Sequence, residues 1–148
     1  MEPIAQQLNA NRIKKRDLLL RLYRLTVRQA DAIGKDDIVR LEDALNGRQR
    51  LAAEIEVLDR AYRELLDTAM SQSGIAETAA SAAAPLEEEM RGIIRETIAL
   101  DAQSREDAQK KLEQYKSELK RELKSSQRMN SYMGMFQPVE SAYIDSKK

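Results

Sequence analysis

Between Asp36 and Ala69 the chain reads DDIVRLEDALNGRQRLAAEIEVLDRAYRELLDTA, and Ile38, Leu41, Leu45, Ala52, Ile55, Tyr62, Leu66 and Ala69 recur at steps of three, four or seven residues. That is the period of one face of an α-helix. Leu51, Leu58 and Leu65 widen the stripe along one flank, so it asks for more than one partner helix. At 1.5 Å per residue the segment forms a rod of roughly 51 Å, which only helices of similar length can cover. This stretch is expected to be the middle helix of an all-α, elongated antiparallel bundle of three long helices with a mobile C-terminal tail.

The composition agrees: 148 residues, of which 4% are aromatic and 34% charged, make a chain with much surface and a slender core. Its few glycines and prolines and its abundance of Leu, Ala, Glu, Lys and Arg favour helices over sheet. The formal net charge is zero, so no overall field draws the chain to nucleic acid or to an anionic membrane. Without cysteine or histidine there is no disulfide, thiolate or imidazole chemistry and no ordinary zinc or haem ligand set. No secretory signal pattern and no membrane-length apolar run occurs, which makes the cytosol the expected location and membrane insertion unexpected.

Pro3 suits a first helical turn, and no strong breaker follows before Gly34, so the first helix is expected over about 4–33. Its stripe is Leu8, Lys15, Leu18, Leu22, Leu25, Gln29 and Ile33, and the first dozen residues, poor in apolar side chains, are expected to fray. Gly34 is placed as a left-handed cap and Asp36 or Asp37 as the N-cap of the second helix, over 36–69. So short a link makes the two helices antiparallel neighbours. Residues 1–35 hold eight Lys or Arg against three Asp or Glu, and residues 36–85 five against ten, which favours that pairing. Exposed pairs add only ~0.2–1 kcal/mol each, so leucine burial has to supply most of the stability.

From Met70 the leucine stripe gives way to MSQSGIAETAASAAAP, read as a mobile connection over 70–85. Pro85 is then expected to open a third helix over 86–128, with Glu87, Glu88 and Glu89 in its first turn, where carboxylates complement the helix dipole. Adjacent carboxylates point around a helix and do not converge, so the triplet is not read as a metal site. The apolar face passes through Met90, Ile94, Ile98, Ala108, Leu112, Tyr115, Leu119 and Leu123, with a polar gap at Asp101 to Arg105. That gap is read either as a register-fixing hydrogen-bond site or as a solvated break in the stripe. Gly92 is read as a site of close helix crossing. The bundle is thus assigned to residues 1–128 and the tail to 129–148.

No P-loop, dinucleotide fingerprint or nucleophile elbow is present. The chain is therefore expected to be a protein-binding rather than a catalytic one, with no cofactor and no specific metal or nucleotide. The run AIGKDDIVRLEDALNGRQRLAAEIEVLD resembles the flagellar export chaperones of the FlgN/FliT type: an acidic short link opens a helix that passes through Arg48 and Gln49 and closes on Leu58 and Asp59. The third helix repeats the likeness at Leu100 and Asp101, although Ser104 stands where that signature commonly has Asn, and the chain ends in Tyr143, Ile144, Asp145 and Lys147.

The resemblance implies a cytosolic chaperone that binds hook-filament junction (hook-associated) proteins, shields their amphipathic terminal helices and passes them to the export apparatus. Filament cap protein is the alternative client, and a purely structural coiled-coil homo-oligomer the alternative of another class. The resemblance places the client surface in the C-terminal region, on Leu119, Leu123, Met129, Tyr132, Met133 and Phe136. Helix lengths point the same way, because 34 residues face 43 and leave the end of the third helix without a partner of its own chain.

Overall fold

The computed structural model describes residues 3–72 and 74–134, without the side chains of Ala76, Tyr132 and Met133. Three long helices are packed together, α1 (Ile4–Gly34), α2 (Ile38–Met70) and α3 (Ile75–Gly134). The chain divides into two compact units, Met1–Asp107 and Ala108–Lys148. In the first, Asn11 meets Leu58 and Gln29 meets Arg48, so α1 and α2 run antiparallel. Arg12 meets Glu87 and Gln29 meets Asp101, so α1 and this part of α3 run parallel. No helix among the described residues is long and apolar enough to cross a membrane.

The turn between α1 and α2 is built differently from the glycine-capped expectation. Asp36, not Gly34, takes the left-handed conformation at φ 56°. Its N–H donates to Ile33 O (3.2 Å), and the Asp37 N–H donates to Ala32 O (2.9 Å). This bond pair is the Schellman motif, and a short polar side chain tolerates the left-handed position better than most. Asp37 then caps α2 by accepting from the Arg40 N–H at 3.1 Å. One two-residue step closes one helix and opens the next.

At the other end, α3 starts eleven residues earlier than Leu86, so the connection spans only the residues between Met70 and Ile75, where Gly74 has φ +80°. The alanines are helical. Ala79, Ala82 and Ala83 line a small cavity of about 70 Å³ together with Leu8, Arg12 and Tyr62, and Ala83 is buried. Small side chains let backbones approach, which compensates for the absence of leucines. Pro85 therefore sits inside the helix rather than at its start, at a cost of about 3 kcal/mol that contacts on either side offset. Glu87, Glu88 and Glu89 are correspondingly mid-helix, not first-turn, residues. The helix also continues past Arg128 to Gly134, so Met129 belongs to α3 and not to a tail. Residues 135–148 lie outside the described residues.

The buried seam departs from the expected stripe in its register. On α3 the buried positions are Ala83, Met90, Thr97 and Ser104, each seven residues from the last, as in a coiled-coil seam. Ile98, placed in the core by apolar periodicity, is 63% exposed, and Ile94 is at the edge of exposure. On α2 Ala44 and Leu51 are buried while Leu45, Ile38 and Ala52 are exposed; Leu41, Ile55, Leu58 and Tyr62 are half-buried. The start of α1 is not frayed, because Leu8, Asn11 and Arg12 are all buried.

Candidate functional site

Two polar clamps hold the first unit, and both use residues that carry the family resemblance. In one, Asp101 of α3 accepts at Oδ1 from Gln29 Nε2 of α1 (3.1 Å) and Arg48 Nη1 of α2 (2.7 Å), while Arg105 Nε meets Oδ2 at 3.0 Å. Arg48 also donates to Gln29 Oε1, so each helix touches the other two. Burial pushes the Asp101 carboxyl up, but the bonds from Gln29 and Arg48 and the charges of Arg48 and Arg105 outweigh it and hold it below its ordinary value. The polar gap in the third helix is thus a register-fixing hydrogen-bond site. One turn on, Ser104 is fully buried and its hydroxyl has no protein partner.

The second clamp centres on Arg12, which is 4% exposed. Its Nη2 donates to Asn11 Oδ1 (2.8 Å) and Asp59 Oδ1 (3.2 Å), its Nη1 lies 3.7 Å from Glu87, and its guanidinium stacks 3.6 Å from the Tyr62 ring centroid. Lys15 Nζ lies 2.8 Å from the same Asp59 oxygen. Burial raises the Asp59 carboxyl, yet the bonds and charges of Lys15 and Arg12 bring it below its ordinary value. Leu58 contributes its carbonyl, which accepts from Asn11 Nδ2 at 3.0 Å. Leu58, Asp59 and Asp101 therefore serve the bundle. Gln49, by contrast, is exposed. Neither clamp has a nucleophile beside a base, and no group of three potential metal-ligating side chains gathers among the described residues.

The second unit is different in kind. Leu112, Tyr115, Leu119 and Leu123 follow at steps of three or four residues, and they are 46%, 53%, 57% and 53% exposed; Met129, six residues on, is 62% exposed. Of the six residues assigned to client binding, Leu119, Leu123 and Met129 lie on this surface of α3. Tyr132 and Met133 fall in its last turn with side chains outside the described set, and Phe136 lies outside the described residues. Leu112 and Tyr115, read from the sequence as bundle core, extend the exposed stripe by two turns. The signal for them was present in the spacing; what hid it was the assumption that the bundle reached residue 128. Residues 108–128 carry seven Lys or Arg against three Glu, so the segment that bears the apolar stripe is basic. No family model, curated protein or solved structure matches the chain.

Proposed function

We propose that this chain is a cytosolic flagellar export chaperone whose distal α3 stripe holds the amphipathic terminal helix of a hook-filament junction protein and then yields it to the export apparatus. The observation that carries the reading is the run of large apolar side chains from Leu112 to Met129, each about half exposed, on one helix. Contiguous apolar surface of this sort marks a contact site, and an amphipathic helix laid along it would be read as anchors at three- and four-residue spacing. The net positive charge of this segment opposes pairing with a second copy of the same segment and suits a client helix rich in Asp and Glu.

Sedimentation and titration calorimetry with terminal fragments of a junction protein and of the filament cap protein test this. The expected result is a hetero-complex with the junction fragment that Leu119→Ser/Leu123→Ser weakens at least tenfold with the melting of the bundle unchanged. Preference for the cap fragment would reassign the client. Homo-oligomers that ignore both fragments would replace the chaperone reading with that of a structural coiled-coil subunit.

A further inference from the structure

Arginines along the clamps face carboxylates: Arg12, Arg16, Arg48 and Arg105 each have an acidic partner within 4.0 Å. Arg21, Arg24 and Arg28 of α1 and Arg50 of α2 have none among the described residues, and all four line one cavity of about 390 Å³ on the flank of the α1–α2 hairpin. On α1 the three are spaced three and four residues apart, which puts them in one row about 10 Å long. Gly47 brings the second helix close: a Cβ there would stand 2.9 Å from Leu25 Cδ1. That approach sets Arg50 beside the α1 row, with Leu25 and Leu51 also lining the cavity. Four exposed guanidinium groups against one carboxylate leave a local excess of positive charge around one concavity, and a bound anion offsets it.

The acids nearby limit which anion fits. Glu54 is the single carboxylate among the lining residues. The next cavity along the same flank shares Leu25 and Arg28 and is lined by Asp31, Asp43 and Arg40, so its acids balance its arginines. An acidic helix or a nucleic-acid strand following the groove would run from the arginines onto these carboxylates. A compact polyanion would not, and guanidinium forks match phosphate oxygens in bidentate fashion. We propose that this cavity is a binding site for a compact polyanion carrying two or more phosphate groups. The proposal does not rest on the chaperone reading. It departs from the expectation that no nucleotide binds, which came from the absence of a glycine-rich phosphate loop; an arginine cavity recognises the charge by another route.

Titration calorimetry of the full chain at low ionic strength, with inorganic triphosphate, with ATP and with vesicles containing a phosphoinositide, tests it. One site per chain is expected, weakened at least tenfold by Arg24→Gln/Arg28→Gln and at least threefold by Arg50→Gln on the other helix. Lys116→Gln/Lys120→Gln, which removes the same charge from α3, should change affinity less than twofold. Equal binding of triphosphate and ATP assigns the site to the free phosphate chain, stronger binding of ATP to a nucleotide, and binding to vesicles alone to a lipid headgroup. Flat titrations with all three probes, an equal loss in the lysine control, or tighter binding of polyglutamate than of triphosphate would overturn the proposal.

Discussion

α3 carries two stretches of seam-like spacing that meet opposite fates. Before Asp107 its buried positions are Ala83, Met90, Thr97 and Ser104, mostly small or polar; after it, Leu112, Tyr115, Leu119 and Leu123 are larger, more apolar and exposed. Per residue, the second stretch has more to gain from leaving water. Burial here follows the presence of partner helices and the room between them, not the apolarity of the side chain. Close-set helices take alanine, threonine and serine, and specificity comes from clamps such as Gln29–Arg48–Asp101. A stripe of large apolar side chains left half open to water reads as a surface kept for another chain.

The sharpest way to break that contrast is to remove a clamp. Asp101→Ala leaves Arg48 and Gln29 turned inward without their acceptor, and loss of one partner from a mostly buried charge pair costs about 3–5 kcal/mol. Chemical denaturation followed by helical circular dichroism measures it. A loss below about 1 kcal/mol would show the clamp to be an incidental surface contact. Next in size, Leu51→Ala should cost about 2–3 kcal/mol, because Leu51 is 8% exposed and deletion leaves a cavity. Leu45→Ala, at 46% exposure, and Leu119→Ser/Leu123→Ser should each cost less than about 0.5 kcal/mol. A large loss at Leu119 would return the distal stripe to the core.

Much of this architecture was legible in the sequence, and the misreadings share a cause. The first two helices end within two residues of their expected bounds because Gly34, Asp36, Asp37 and the loss of the leucine stripe at Met70 are local signals. The start of α3 was not legible, since Pro85 is a strong local stop and the alanines before it face Leu8, Arg12 and Tyr62 across a small cavity that no local pattern announces. The register was off for a related reason. Counting apolar residues selects Leu45 and Ile98 and passes over Thr26, Thr97 and Ser104, whose burial depends on what stands opposite them. Asp59 stood out only through the family resemblance and Asp101 also as the start of a polar gap; that they tie helices together is visible only once the helices are placed.

Acid should weaken the fold through the clamps. In the fold the Asp59 and Asp101 carboxyls titrate below their ordinary value, so protons bind the unfolded chain more readily. The stabilisation is complete above the ordinary carboxylate value, near pH 4, and is lost as pH falls through the lowered folded-state value. Melting temperature should therefore hold steady from about pH 5 to 7, where no histidine titrates, and drop below about pH 4. Asp101→Asn should be less stable at neutral pH yet lose less on acidification. An equal acid response in wild type and variant would exclude the clamp as its source.

Smaller effects separate covered from open positions at single atoms. Ser104→Ala removes a buried hydroxyl without a protein partner and should stabilise by about 1 kcal/mol. Gly92 was expected to mark a close crossing, yet nothing lies within 4 Å of a Cβ built there, whereas at Gly47 the Leu25 side chain stands 2.9 Å away. Gly92→Ala should thus gain up to about 1 kcal/mol from helix propensity alone. At Gly47 the same gain meets a displaced Leu25, so Gly47→Ala should be close to neutral, and Gly47→Val, which adds two more carbons at the closest approach and a β-branched side chain to the helix, should destabilise. Thermal melts of the three variants decide it. If Gly47→Val is as stable as the wild type, α1 and α2 do not approach closely at Leu25, and Arg50 is not held beside the α1 arginine row.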